Sequence, residues 1–524
     1  MKYVLTIDLG TSGPKVAVYT MRGEIVAHTK TPTAVSLFPN GGAEQDPDEW
    51  WLAIKTAVSH VLAQDAVPVS DIVAISCTSQ WSGTVAVDAQ GQPLMPAINW
   101  MDSRGEAYVR QITGGSVNVV GYGLDKMLTW LRLTGGIPTL SGKDPIAHIL
   151  YIKNELPEIY AKTYKFLEPK DYLNLHLTGK FAATYDSITL HWVTDNRDLT
   201  AVTYNDKLLK LAGVERDKLP DLIRATDVVG FIRPEIAAEL GLETAVQVVG
   251  GTPDVHSAAI GSGAVADYEA HLSIGTSSWI IGHVPFKKTD IFHNMASLPS
   301  AIPERYLLIN EQESAGACLT YLIDQIFYPD DKLAVGTRPQ DVYQRLNEAA
   351  ATVPAGSDGL IFTPWLYGER TPVEDHAIRG GFFNLSLTMT RAHMVRAVFE
   401  GVAYNSKWLL GYVEKFMKRP LSELRVIGGG AQSALWCQIM ADVLDRTIHQ
   451  VENPMQANTR GVALLAAVAL GHLNVADIGG TVHIANTYTP NAAHRQTYDD
   501  QFQTFLQLYK QHSKLLRKQL HREH

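Results

Sequence analysis

Cysteine is scarce in this chain. Its three cysteines, Cys77, Cys318 and Cys437, stand far apart in apolar surroundings. That spacing offers neither a disulfide framework nor a zinc-ligand pattern, so buried free thiols in a reducing compartment are expected. A basic surplus is also missing. The 45 Lys and Arg against 54 Asp and Glu give a formal charge of −9, which argues against a nucleic-acid binder. No apolar run approaches the length of a membrane span. Met1 leads directly into the first apolar strand without room for a signal peptide, so a cytoplasmic protein is expected. There is no Gly-x-x-x-x-Gly-Lys-Ser/Thr loop and no Gly-x-Ser-x-Gly elbow, which excludes two common nucleotide and hydrolase signatures. The 18 histidines are scattered, and only His256, beside Asp254, lies near candidate chemistry.

What remains has the composition of an ordinary globular protein, 46% hydrophobic and 19% charged. At 524 residues it is too long for one core and fits two large domains or three smaller ones.

The stretch that organises the chain is Ile7-Asp8-Leu9-Gly10-Thr11-Ser12-Gly13, with Lys15 just beyond it. Apolar runs on either side, Tyr3 to Leu5 and Val16 to Tyr19, predict a β-hairpin. Glycines in its turn let backbone N–H groups approach phosphate oxygens. Thr11 and Ser12 add donors, Lys15 could add a cation, and Asp8 could hold Mg²⁺ through water. An ordinary glycine-containing hairpin is the plain alternative. The pattern returns at His271-Leu-Ser-Ile-Gly275-Thr276-Ser277-Ser278, with Ser273 where the first copy carries its acid. Two such hairpins suggest a duplicated domain that clamps a polyphosphate from both sides.

Taken in order, the chain continues with a third strand, Ile25 to Thr29, and a helix capped by Asp46-Pro47. Trp50, Trp51, Ile54 and Val58 fall on one face of that helix and read as core. Ile72 to Cys77 is a buried strand running into Thr78-Ser79-Gln80-Trp81-Ser82, and residues in that place often face a crevice. A hairpin at Val85 to Leu94 ends at Asp102 and Arg104, a pair suited either to sugar hydroxyls or to a surface ion pair. Lys126 to about Thr200 reads as a helical subdomain, and Leu208 to Leu222 as another helix. Val246 to Gly250 is a strand that leads through Gly251-Thr252-Pro253-Asp254 to a helix beginning near Ser257. Asp254 thus occupies a place that suits a catalytic carboxylate, or a helix cap.

In the second half, Leu360 to Trp365 leads to Tyr367-Gly-Glu-Arg-Thr-Pro, and Arg391 to Phe416 forms a long helix. Leu424 to Ile427, Gly428-Gly429-Gly430-Ala431-Gln432-Ser433 and a helix from Ala434 to Leu444 make a backbone cradle for a nucleotide. A strand at Thr447 to Val451, a helix at Gly461 to Leu470 and an amphipathic helix at Asp499 to His524 complete the chain.

In this order the motifs at Asp8, Gly250–Asp254, Ser273–Ser277, Tyr367–Pro372 and Gly428–Ser433 resemble the FGGY carbohydrate kinases, of the actin/hexokinase/Hsp70 superfamily. Arg379-Gly-Gly-Phe-Phe-Asn-Leu-Ser through Glu400-Gly is similar to that family's C-terminal signature. Within the family the resemblance is closest to the xylulokinases and covers about residues 1–490. It implies an α/β fold of two ribonuclease-H-like domains with an interdomain cleft. The sugar-binding domain would span 1–262, the ATP-binding domain 263–490 and a C-terminal helix 491–524. It further implies Asp254 as general base and Asp8 as the metal-associated acid. Thr11, Ser12, Lys15, Gly275 and Thr276 would meet the phosphates of ATP-Mg²⁺, and Gly429, Gly430, Ala431 and Ser433 the adenosine. Gln80, Trp81, Asp102 and Arg104 are the expected sugar-side residues.

Two departures bear on the substrate. Many xylulokinases carry Met-His after the strand that here ends in Ser79-Gln80-Trp81-Ser82, and Asn after the catalytic Asp, where this chain has Val255. D-xylulose is the first expectation. Another ketose, polyol or sugar acid (ribulose, glycerol, gluconate, a tetritol) stays open, as does a non-catalytic ATP-binding sensor. A small-molecule partner is expected, with no nucleic acid and no membrane, and a homodimer is left open.

Overall fold

Two mixed β-sheets, one from each half of the chain, carry the architecture. The computed structural model describes residues 1–333 and 336–523, with side chains described as far as residue 516 in the last helix. The first sheet contains β1 (Tyr3–Gly10), β2 (Gly13–Thr20), β3 (Ile25–Lys30), β4 (Ile72–Ser79), β5 (Val228–Phe231) and β6 (Gln247–Val249), in the order β5-β6-β4-β1-β2-β3. The second contains β7 (Ala270–Ile274), β8 (Ser278–Val284), β9 (Thr289–Asp290), β10 (Met295–Pro299), β11 (Tyr306–Ile309), β12 (Glu423–Ile427), β13 (Thr447–Val451) and β14 (Ile484–Tyr488). Its order is β9-β10-β11-β8-β7-β12-β13-β14.

The same frame recurs in both sheets. Three antiparallel strands (β3-β2-β1; β11-β8-β7) are followed by two parallel ones (β4 and β6; β12 and β13). The repeated Gly-Thr-Ser hairpins are the first turns of the two frames. In the first, β1 and β2 pair from Tyr3–Thr20 to Gly10–Gly13, which leaves Thr11 and Ser12 as the turn. Gly13 has φ +120°, and a Cβ there would stand 2.0 Å from the carbonyl oxygen of Thr31, so this position requires glycine.

Helices cover the sheets and, between the two halves, exchange places. Helix α1 (Pro47–Leu62), capped by Asp46, buries Trp50 and Trp51 against the first sheet. Helix α2 (Asp254–Ser262) follows β6 of the first half but packs Ala259 on Ile281 and Leu307 of the second sheet. The long helix α3 (Arg391–Met417) and α4 (Ala434–Leu444) lie in the second core. Helix α5 (Ala457–Ala469) follows β13 yet packs Ala463 and Ala466 on Ala17, Tyr19, Val4 and Ala74 of the first sheet. The last helix, α6 (Arg495–Glu523), lays Tyr498 and Phe505 into the second core; the expected end of this helix, His524, lies outside the described residues.

Several expected elements differ. Leu208 to Leu222 is not one helix. Asp206–Ala212 ends at Gly213, whose φ of +67° places it in the left-handed region, and the chain resumes as a strand at Asp221–Ile223. The expected helical subdomain is helical only to Thr178. Beyond Gly179, also left-handed, come short strands and a 3₁₀ turn at Ser187–His191. Helix α2 starts at Asp254 rather than near Ser257, because Pro253 supplies an extended cap. Among the described residues no helix is long and apolar enough to cross a membrane, and all three cysteines are buried and free.

Candidate active site

A cleft of about 1690 Å³ opens between the two sheets, and both hairpin turns line it. From the first turn come Gly10, Thr11 and Ser12, and from the second Gly275, Thr276 and Ser277. Neither Gly10 nor Gly275 has a left-handed φ. A Cβ on either would meet only Gly13 O at 3.6 Å or Ser277 O at 3.5 Å. The protein's own packing therefore does not demand glycine at these two positions, and the vacant volume faces the cleft. That is the shape of a cradle for oxygens brought by a ligand.

Asp8, Lys15 and Asp254 meet at the floor. Asp8 and Lys15 are cross-strand partners in β1 and β2, and Lys15 Nζ donates to Asp8 Oδ2 over 3.2 Å. Asp8 is 2% exposed and its Oδ1 is buried with no hydrogen-bond partner among the described residues. Beside Asp8, and also near Asp254, the Lys15 ammonium is held above its ordinary pKa, although burial works against it. Asp254 sits on the first turn of α2, where its Oδ1 accepts the Val255 N–H at 2.8 Å. No described residue bonds its Oδ2. Burial, reinforced by the Asp8 carboxylate, pushes the Asp254 pKa up to about 7.

The loop that delivers Asp254 is fastened from below. Gly251 has φ +68°, and a Cβ there would stand 2.1 Å from Cys77 O at the end of β4. The carbonyl of Gly250 accepts from Lys170 Nζ (3.1 Å) and Asn174 Nδ2 (2.7 Å), and the Thr252 hydroxyl donates to Asp186. Lys170, Asp171 and Asp186 are all buried, and Lys170 pairs with Asp171. The sequence does not announce this group, because Leu173, Leu175 and Leu177 make Pro169–Thr178 look like an ordinary core helix. Charges on the buried side of that helix were the available signal.

Gln80 and Trp81 reach the cleft, but much of their polar capacity is already used. Gln80 Oε1 accepts from Thr11 Oγ1 (2.8 Å) and Asn99 Nδ2 (2.9 Å), and its Nε2 donates to Gln45 Oε1 (2.6 Å). Trp81 donates to Ser187 O at 3.1 Å and meets the edge of His256 at a centroid distance of 5.1 Å. His256 points into this packing. It is buried, has no hydrogen bond among the described residues, and burial lowers its pKa to about 3, so it is neutral.

Asp102 and Arg104, expected at the sugar, do not line the cleft. Asp102 accepts from the N–H groups of Ala43 and Arg104 (both 2.9 Å) and from Arg104 Nε (2.8 Å). Arg104 also reaches Glu44 Oε1 at 2.6 Å and lies over the Tyr151 ring. The two-residue spacing folds the guanidinium back on the carboxylate, so both groups are spent inside the protein. In their place the cleft presents Lys143, Glu311, Glu313 and Arg370, which the sequence reading had not assigned. Arg370 pairs with Glu311 and Glu313.

Gly428–Ser433 forms the far end of the cleft, opposite Tyr343, Gln344 and Asn347. Gly429 faces it. A Cβ there would find Met455 Sδ at 3.5 Å. Gly430 lines the cleft too, but a Cβ would strike Ile274 Cγ2 at 2.4 Å, on the protein side. Ala431, expected at the adenosine, is fully buried and does not line the cleft; its carbonyl accepts from Gln450 Nε2 at 2.6 Å. Ser433 caps α4 and bonds Asn347 across the end of the cleft.

Among the described residues no group of three or more His, Cys, Asp or Glu could hold a metal ion. The single orphaned oxygen of Asp8 instead suits a hydrated Mg²⁺, which binds through one or two carboxylates, water and phosphates.

The N-terminal and C-terminal domain models of the FGGY family of carbohydrate kinases match residues 3–261 and 270–470. A xylulose kinase of Staphylococcus epidermidis is 29% identical over 522 residues, covering 98% of this chain and 97% of the relative. One from Escherichia coli K12 is 30% identical over 521 residues, covering 96% and 98%. The crystal structure of a gluconate kinase from Lactobacillus acidophilus superposes with a TM-score of 0.84 at 26% identity, covering 98% of each chain.

Proposed function

Because the chain belongs to the FGGY family of carbohydrate kinases, we propose that this ATP-dependent sugar kinase phosphorylates a ketose, with D-xylulose as its reference acceptor and D-xylulose 5-phosphate as product. The observation that carries this reading is Asp254. It stands in a cleft between two glycine hairpins with one carboxylate oxygen uncommitted.

Asp254 accepts the proton of the attacking hydroxyl at Oδ2 while the Val255 N–H fixes Oδ1. A pKa near 7 leaves this carboxylate about half ionised at neutral pH and makes its ionised form a stronger base than an ordinary aspartate. Lys170 and Asn174 hold the Gly250 carbonyl, and Cys77 O closes on Gly251, so the carboxylate is aimed before substrate arrives. Asp8, with its uncommitted Oδ1, would hold a hydrated Mg²⁺, and Lys15 adds positive charge. Thr11, Ser12, Gly275 and Thr276 hold the phosphates, and Gly429, Gly430 and Ser433 the adenosine. Bound Mg²⁺ neutralises phosphate charge and aligns the transferring group. Trp81 walls the sugar side, and Gln80 ties that wall to the Thr11 turn. The domains we assign are 1–262 for the sugar and 263–490 for ATP, followed by a C-terminal segment whose helix α6 packs on the second core.

A sugar acid is the second reading, favoured by one observation: Lys143 lines the cleft and its ammonium makes no hydrogen bond or ion pair among the described residues, with Arg370, Glu313 and Glu311 as charged neighbours. ADP release in the presence of D-xylulose, D-ribulose, glycerol, erythritol and gluconate tests both. The highest kcat/KM is expected with D-xylulose. ADP release independent of every acceptor would overturn the proposal.

A further inference from the structure

We infer that three buried amides, Gln45, Gln80 and Asn99, are positioning residues that fix the Thr11 hydroxyl as a hydrogen-bond acceptor toward the cleft. Its ligand is then an O–H donor and not a phosphate oxygen. This rests on the proposed nucleotide site and refines it, because the phosphates are left to the backbone of the first turn and to Ser12.

The two ends of an amide are told apart by what they face, and here backbone groups decide. Gln45 Nε2 meets two carbonyl oxygens, Thr11 O at 3.0 Å and Ala34 O at 3.2 Å, so that end donates and Oε1 accepts. The Met101 N–H donates to Asn99 Oδ1 over 3.0 Å, so the other end of Asn99 is its donor. Asn99 Nδ2 spends its two protons on Gln45 Oε1 (3.0 Å) and Gln80 Oε1 (2.9 Å). Gln80 is fixed in turn, with Nε2 on Gln45 Oε1 at 2.6 Å and Oε1 toward Thr11. None of the three is more than 3% exposed, so a flipped amide would bury like against like with no water to relieve it.

Thr11 inherits this orientation. Its one proton goes to Gln80 Oε1 at 2.8 Å, and one lone pair takes the Trp100 indole N–H at 3.0 Å. A second lone pair remains, on a half-buried residue that lines the cleft. Ionised phosphate oxygens only accept hydrogen bonds, so this hydroxyl has no proton to offer them. It can hold a donor: a water of hydrated Mg²⁺ or a hydroxyl of the acceptor. Ser12 differs, because its hydroxyl accepts from Lys30 Nζ over 3.3 Å and keeps its own proton for a phosphate.

The test uses the full chain and compares wild type with Thr11→Val, which keeps the shape without the hydroxyl, and Gln80→Met, which releases the Thr11 proton. Three titrations distinguish the sources: ADP in the presence of EDTA, Mn²⁺ with ADP by electron paramagnetic resonance, and the KM of the best acceptor in the panel above. We expect Thr11→Val to bind metal-free ADP within about 2-fold of wild type. Either its Mn²⁺ affinity or its acceptor KM should worsen by about 5-fold or more, the first marking metal-bound water and the second a sugar hydroxyl. Gln80→Met should worsen the same titration, whereas a merely structural defect would move all three. Weakened ADP binding, an equal loss in all three or no change in any would overturn the inference. Neutron diffraction of the wild-type protein reads the proton without a substitution. A deuteron between Thr11 and Gln80 would support the inference, and one aimed into the cleft would overturn it. ADP release independent of every acceptor would overturn the kinase reading, and the neutron map would still decide the orientation of Thr11.

Discussion

Gly261 and Gly461 bring two helices into backbone contact. A Cβ on Gly261 of α2 would stand 1.8 Å from Ala457 O, and one on Gly461 of α5 would stand 1.9 Å from Ser257 O. Each helix packs on the other half's sheet, so this crossing joins the halves at the base of the cleft. Gly261→Ala or Gly461→Ala should cost at least about 1–3 kcal/mol, because carbonyl groups cannot yield as a side chain would. Chemical denaturation would show a lower midpoint. An unchanged midpoint would mean that the helices can slide apart freely.

The two adjacent glycines at the far end of the cleft should behave differently. Gly429→Val points its side chain toward the cleft and Met455, so the KM for ATP should rise several-fold in a folded protein. Gly430→Val would drive into Ile274 and Trp436 and should first appear as lost stability. Melting curves and ATP titrations of both variants separate the outcomes.

Asp102→Ala should lower the activity toward every sugar in proportion to its loss of stability. Breaking a buried ion pair from one side costs about 3–5 kcal/mol, and Asp102 is 1% exposed. A change in the ranking of acceptors at unchanged melting temperature would return Asp102 to the sugar site.

The hairpins, the glycine turns and the order of strands were legible because each depends on local pattern: apolar runs, turn residues and spacing. The place of Asp254, between a strand and a helix at the cleft, was legible for the same reason. Asp102 and Arg104 were misplaced because Asp-x-Arg reads identically whether the pair faces a ligand or closes on itself. Only the position of Glu44 and Tyr151, distant in sequence, decides. Lys170 went unread because its partners Thr184 and Gly250 are supplied by tertiary folding. The exchange of α2 and α5 between the sheets leaves no local pattern beyond small residues in otherwise ordinary helices.

Asp254→Asn should stabilise the fold at high pH. The folded pKa of about 7 lies above the unfolded value of about 3.9, so the folded state binds the extra proton between them. Wild-type stability therefore falls as pH rises through that window, and the neutral amide escapes the loss. The melting-temperature advantage of the variant should grow from about pH 4 to 7 and level off above. A constant difference would show that the carboxylate is not held up by its surroundings.

The same variant tests the central claim most directly. Turnover of the preferred acceptor and ATP affinity should be measured on one preparation of Asp254→Asn, beside a wild-type profile of kcat/KM against pH. The account predicts a loss of about 10²–10⁴-fold in kcat with ATP affinity retained, and wild-type activity that falls as pH drops below about 7. Near-normal turnover by Asp254→Asn would contradict it and leave Asp254 as no more than the first residue of a helix.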